Sequence, residues 1–251
     1  MNRAIRGAVV AAWALSFGPA AHPAAAQSPP ALHGLHVKYV RDSEEYATLT
    51  RQIYRTALAA VLEANRSNAD QTPWIVVLDV DETALDNSAY ELERETYWVP
   101  FDDETWNAYV ARRASEAVPG AREFVRSVRA AGGRIAWITN RDEIVREDTR
   151  ENLRRVGLWD DSDRLCPRSS REDTKAARRR EVVTGTGRCS WDGRPVRVLA
   201  FIGDALGDVP AAGEDIAEAG NDAAFGRRFF LMPNPMYGTW TRRVTRRWDW
   251  Q

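Results

Sequence analysis

Carboxylates crowd directly behind an apolar run at two places in this chain. WIVVLDVDETALDNS sets Asp79, Asp81, Glu82 and Asp86 behind Trp74–Leu78, and VRVLAFIGDALGD sets Asp204 and Asp208 behind Val196–Ile202. A third apolar run, Arg134–Ile138, ends in Thr139, Asn140 and Arg141. Crowded carboxylates repel one another unless they share a cation or a proton. Magnesium (Mg2+) prefers such hard oxygen ligands and takes one or two carboxylates, with water and phosphate oxygens completing its shell. A threonine hydroxyl where a strand meets a helix start is well placed to bond a phosphate oxygen. The chemistry that suits the set is phosphoryl transfer. One carboxylate attacks phosphorus to form an aspartyl phosphate, a second acid protonates the leaving oxygen, and magnesium with a lysine neutralises the transferring group.

These residues converge only if the elements carrying them are arranged correctly. Each run is short, apolar and rich in β-branched residues, as a buried strand requires, and the segments between carry helical periodicity. Asp42, with Glu45 as its capping partner, opens an amphipathic helix through Tyr46, Leu49, Ile53, Tyr54, Ala57, Leu58 and Val61 to about Asn65. Pro119 opens a second, stopped by Gly132 and Gly133, and a charged helix runs from about Asp142 to Val156 before a short strand at Arg164–Cys166. A further helix from near Ser170 holds Lys175 among Arg171, Arg178, Arg179 and Arg180, read mostly as a solvated face. The glycine-rich stretch between Val183 and Pro195 reads as a surface loop. Alternating strands and helices give an α/β fold: a mostly parallel sheet flanked by helices, with the strand ends gathered in one crevice.

The segment after Asp86 departs from that alternation. Trp98, Phe101, Trp106 and Tyr109 crowd it, and Trp106 and Tyr109, three apart, read as the core of a small helical subdomain. Trp98 and Phe101 flank Pro100 in a loop, where an aromatic beside an acidic site can be a platform for a planar ring or simply packing. Phe229–Met232 forms a last strand, followed by PNPMYG, a rigid turn carrying Tyr237 over the same edge.

Composition removes several alternatives. The formal net charge of −1, with both signs interspersed, leaves no basic footprint for a nucleic-acid polymer. The three histidines, His22, His33 and His36, all precede the first periodic helix. Phosphohistidine, Ser-His-Asp and histidine-rich metal chemistries therefore lack their central residue. Arg3 and Arg6, the apolar run Ala8–Phe17 and the small residues up to Ala26 read as a secretory signal peptide over 1–26, too short to span a bilayer. No cysteine stands at its end to take a lipid, so no stable membrane anchor is expected, and residues 27–41 read as a polar leader on the surface. Cys166 and Cys189 are the two cysteines; export would permit a disulfide, and a free buried pair suits the sequence nearly as well.

The ordered set DVDET at 79–83, Thr139, Lys175 and GDxxxD at 203–208 resembles the four signatures of the haloacid dehalogenase (HAD) superfamily of phosphatases. LDVDETALDNS, PFDDETW, AVPGA, TNR at 139–141, DTKAAR and PNPMYGTW are similar to the class C bacterial acid phosphatases, whose better-known members are outer-membrane lipoprotein 5′-nucleotidases. The likeness covers roughly Tyr46 to Trp240. It implies a HAD-like domain over 42–251, with a small helical cap inserted at about 88–118, and a periplasmic or secreted acid phosphatase acting on phosphomonoesters such as nucleoside 5′-monophosphates. Asp79 would be the nucleophile and Asp81 the general acid and base. Thr139, Asn140 and Lys175 would hold phosphate. Asp79, Asp204, Asp208 and the backbone carbonyl of Asp81 would form the magnesium site, with Asp208 holding a metal-bound water. Phe101 and Tyr237 match ring-stacking positions, with Trp98 beside them. Glu82 and Asp86 are left to supporting roles, and Ala205 and Gly207 stand where the last signature commonly has polar residues. A homodimer is indicated by the likeness and by the tryptophan-rich tail. The rival reading is a nucleotide or planar-ligand binder on the same fold with catalysis lost; such a binder has no use for a general acid.

Overall fold

The computed structural model describes residues 34–67, 72–191, 193–211, 214 and 222–242, all within one compact unit, His33–Gln251. The signal peptide, the first part of the leader, and Trp248 and Trp250 of the tail lie outside the described residues.

The first strand organises the rest. β1 (Trp74–Leu78) is buried along its whole length. Its alternate residues enter different cores: Trp74, Val76 and Leu78 pack on one face of the sheet, Ile75 and Val77 on the other. This is the behaviour of an interior parallel strand, apolar on both sides. Chain order then gives β2 (Leu85–Asp86), α3 (Ser88–Tyr97), α4 (Asp103–Ala111), β3 (Glu116–Ala117), α5 (Ala121–Ala130), β4 (Arg134–Asp142), α6 (Arg146–Arg155), β5 (Arg164–Arg168), α7 (Lys175–Thr184), β6 (Arg197–Gly203) and β7 (Phe229–Leu231); α1 (Leu35–Asp42) and α2 (Glu44–Arg66) precede β1.

The five long-range strands form one parallel sheet in the order β5-β4-β1-β6-β7. α7 carries the chain from the edge strand β5 back past β4 and β1 to β6. β1 therefore stands where the direction of winding reverses, and an open α/β sheet has its ligand crevice there, beyond the carboxyl ends of the strands. One face is closed by α2 and α5 through Tyr54, Ala57, Val61, Phe124, Val125 and Val128. Val182 of α7, Cys189, Trp191 and Ala224 close the other.

The two-residue strands β2 and β3 pair antiparallel and pinch off the insertion between them. Inside it, Tyr90 meets Trp106 edge-on at 5.0 Å and Trp106 stacks on Tyr109 at 5.7 Å, a contiguous cluster of three rings.

Several expectations need correction. The leader is not aperiodic to its end: Leu35–Asp42 is the helix α1, with Val37 and Val40 buried beside Tyr46 and Met236. The cap of α2 is Ser43, whose hydroxyl accepts from the Tyr46 N–H, rather than Asp42. β4 runs four residues past Ile138, to Asp142. The helix after β5 begins at Lys175, not near Ser170, with the Thr174 hydroxyl accepting from the Ala177 N–H. The glycine-rich stretch is no mere surface loop, because Cys189 and Trp191 return into the core. Nor is the base-rich helix largely a solvated face: Arg178 and Arg179 are buried, and only Arg171 and Arg180 stand out in solvent.

Candidate active site

β1 ends at Leu78, and the next residue, Asp79, holds the line of the sheet by donating its N–H to the Ile202 carbonyl of β6 at 3.0 Å. The chain then turns back tightly, with Glu82 at φ +51° and the Ala84 and Leu85 N–H groups both donating to the Val80 carbonyl. Asp79 is thereby fixed at the strand end, and Asp81 sits two residues on beside β4.

β6 delivers the other carboxylates. Asp204 and Asp208 lie around a short 3-10 turn, and the Ala205 N–H donates to Asp208 Oδ2 at 2.8 Å. Gly203 allows this turn: a β-carbon there would collide with Asp208. One oxygen from each of Asp79, Asp204 and Asp208 lies within 4.8 Å of the others.

Lys175, at the first position of α7, reaches into this group. Its Nζ lies 2.6 Å from Asp79 Oδ1 and also bonds Asp208. The two carboxylates outweigh the cost of burial and hold the ammonium above its ordinary range, so Lys175 is charged. Three carboxyl groups, Asp79 and Asp208 buried and Asp204 half-buried, thus gather around a single ammonium. Burial pushes Asp79 well above the usual carboxylate range, opposed by Lys175 and reinforced by Asp208, Asp204 and Asp81. Burial and then Asp208 likewise push Asp204 up to about 6, with Asn234 and Lys175 opposing. Clustered carboxyl groups that burial and mutual repulsion keep from ionising freely fit a hard divalent cation, which relieves both costs.

Asp81 belongs to a different arrangement. Its carboxylate accepts from Arg141 Nε at 2.9 Å, from Asn87 Nδ2 at 2.9 Å and, more weakly, from the Thr139 hydroxyl at 3.4 Å. It has a guanidinium to itself where the three gathered carboxylates share one ammonium, and its side chain is not one of those three. Arg141 is wholly buried; it also donates to Asn87 Oδ1 at 3.1 Å and lies over the Trp106 ring at 5.5 Å. The cap's aromatic core thus touches the guanidinium that holds Asp81.

Other expected residues are placed as follows. Thr139 is buried at the strand end, its hydroxyl accepting from the Arg141 N–H at 3.1 Å. Asn140 is exposed, and its side-chain carbonyl accepts from Arg178 at 2.7 Å. Glu82 is buried and accepts the Asn87 N–H at 2.9 Å, while Asp86 accepts the Ser88 N–H at 2.8 Å; both brace the cap's entry. Tyr237 is held through Asn234, which donates to Asp204 at 2.7 Å and accepts from the Met236 and Tyr237 N–H groups. Phe101 is half exposed, packing against Tyr90 and Trp106. Trp98 stands 92% exposed at the C-terminus of α3.

Three partners escaped the sequence reading: Arg141, Asn87 and Asn234. Arg141 carried a signal, a charged residue beside a strand end; the two asparagines, in loops, carried none.

A family model described as HAD superfamily, subfamily IIIB (acid phosphatase) matches residues 3–240. Acid phosphatase 1 of Solanum lycopersicum is 27% identical over 166 residues, a match spanning 64% of this chain and 57% of that protein's length. Among solved structures, the class C acid phosphatase from Bacillus anthracis superposes with a TM-score of 0.68 at 26% identity, covering 82% of this chain and 85% of that one. The same enzyme with tungstate bound gives 0.65.

Proposed function

The chain belongs to the HAD superfamily, subfamily IIIB acid phosphatases, and from that premise we propose that it hydrolyses phosphomonoesters through an aspartyl phosphate on Asp79. The observation that carries this reading is the Lys175 ammonium lying between Asp79 and Asp208, with Asp204 gathered beside them.

Asp79 attacks phosphorus; the bond from its carboxylate oxygen to phosphorus forms as the bond to the leaving alcohol breaks. Asp81 gives its proton to the leaving oxygen, then takes one from the water that releases phosphate. Arg141 and Asn87 hold Asp81 for both transfers. Lys175 and the Thr139 hydroxyl bind the phosphoryl oxygens, and Asn140 contributes at the mouth. Asp79, Asp204, Asp208 and the Asp81 backbone carbonyl would hold magnesium, which supplies charge neutralisation of the transferring group when bound.

Nucleoside 5′-monophosphates are the substrates that aromatic side chains such as Tyr237, Phe101 and Trp98 would favour, by stacking on the base. The chain is read as exported, after cleavage of residues 1–26, and as working in the periplasm or outside the cell; a homodimer is part of the same reading.

Metal-stripped protein, assayed on a chromogenic phosphomonoester, is expected to regain turnover with added magnesium, and Asp79→Asn is expected not to. Failure of the parent protein to hydrolyse with magnesium present would favour the binding-protein reading instead. Comparing nucleoside monophosphates with glycerol phosphate tests the ring preference.

A further inference from the structure

Cys166 and Cys189 take no part in the site, yet both are fully buried in the same core cluster. Cys166 is at the centre of β5, opposite Ile138 of β4. Cys189 returns to it from the far side of α7, a second free, buried thiol of the same cluster, near enough to oppose ionisation of Cys166. Their neighbours are joined: Arg188 donates to the Pro167 carbonyl at 2.6 Å. On the other side, the Cys189 N–H donates to Glu181 of α7 at 3.2 Å, and Arg178 of α7 donates to the Cys166 carbonyl at 3.0 Å. The chain between the cysteines is therefore a closed excursion, and it carries Asp173, Thr174, Lys175, Arg178 and Arg179.

We propose that Cys166 and Cys189 are a covalent modification site, oxidised to an intramolecular disulfide that staples the base of the excursion presenting Lys175. In the reaction two S–H bonds break and one S–S bond forms. The electron pair and both protons pass to a disulfide oxidant, a thiol–disulfide oxidoreductase or oxidised glutathione, which leaves as two thiols. Attack requires a thiolate, and in the closed fold burial, with the Cys189 contact adding to it, pushes the Cys166 thiol well above its ordinary range. Oxidation therefore belongs to folding, before the Cys189 segment closes over β5. The staple ties β5 to the end of the segment that follows α7, so it restricts the unfolded chain where Lys175 must be presented. The proposal rests on the exported reading above, because only an oxidising compartment supplies the oxidant in cells.

The test refolds the full chain, reduced and unfolded in denaturant, in a glutathione redox buffer, then denatures it and labels thiols with a maleimide–polyethylene glycol. The expected result is an unlabelled monomer that takes two labels after dithiothreitol, with the Cys166 and Cys189 peptides linked in a non-reduced digest. Cys189→Ser is expected to take one label. Two labels on the refolded parent, glutathione adducts on each cysteine, or disulfide-linked dimers would overturn the proposal. The oxidised parent is also expected to melt several degrees above a Cys166→Ala/Cys189→Ala chain, and equal midpoints would overturn the staple. Refolding needs no export, so a chain that oxidises here but keeps residues 1–26 in cells fails the exported reading alone.

Discussion

Arg141 and Asp81 form a 2.8 Å ion pair in which the guanidinium is wholly buried while the carboxylate keeps 18% of its surface accessible. The general acid of the proposed reaction is thus held by a residue that solvent does not reach, while part of its own carboxylate stays accessible. Breaking a buried pair by removing one partner costs roughly 3–5 kcal/mol. Arg141→Met is expected to lose about that much stability. Arg141→Lys keeps the charge but not the fork that meets both Asp81 and Asn87. It should fold, with a lower kcat, a changed pH profile and little change in KM; unchanged kcat and profile would remove Arg141 from a positioning role.

Lys175→Met keeps an unbranched side chain one atom shorter and deletes its charge. Loss of one preorganised charge at a phosphoryl group costs about 100- to 1,000-fold in kcat. Circular dichroism and the melting midpoint would show whether the fold survives. Near-normal turnover would transfer the phosphate-binding role to another base.

Asp142 joins the cap to the sheet. It accepts from Asn107 of α4 at 3.3 Å and from Arg168 of β5 at 3.0 Å. Burial raises its carboxyl and these bonds outweigh that effect, so its folded value is depressed below the ordinary one. A depressed acid contributes stability that is fully present above its unfolded value, about 4, and is lost as pH falls through the folded value. Asp142→Asn should flatten the acid limb of a melting-temperature profile below about pH 4 and cost at most about 1 kcal/mol at neutral pH. An identical acid limb in parent and variant would deny that Asp142 fastens the cap.

The sheet was legible because its strands announce themselves: WIVVL and VRVLAFI can hardly be anything but buried strands, and the acids behind them mark the carboxyl ends. α1 was not, since eight residues after two prolines give too short a period to detect. Arg178 and Arg179 were misread because charge speaks for solvent until a partner is known; their partners, the Cys166 carbonyl and Glu214, lie far apart in sequence. Asn87 and Asn234 failed for the same reason. Each is an ordinary loop residue until the fold sets it beside Asp81 or Asp204. The residues given to the chemistry were readable from type and spacing, while those that hold them in place became visible only in three dimensions.

The central claim is that Asp79 takes the phosphoryl group and Asp81 helps water remove it. Asp81→Asn should let a substrate with a good leaving group phosphorylate the protein and then stall. Acid quenching of this variant with p-nitrophenyl phosphate, followed by peptide mass spectrometry, measures this directly. The account predicts one phosphoryl group on Asp79, in the tryptic peptide between Arg66 and Arg94, and none in the same peptide from Asp79→Asn. Release of p-nitrophenol with no adduct on that peptide, or with the adduct on another residue, would contradict it.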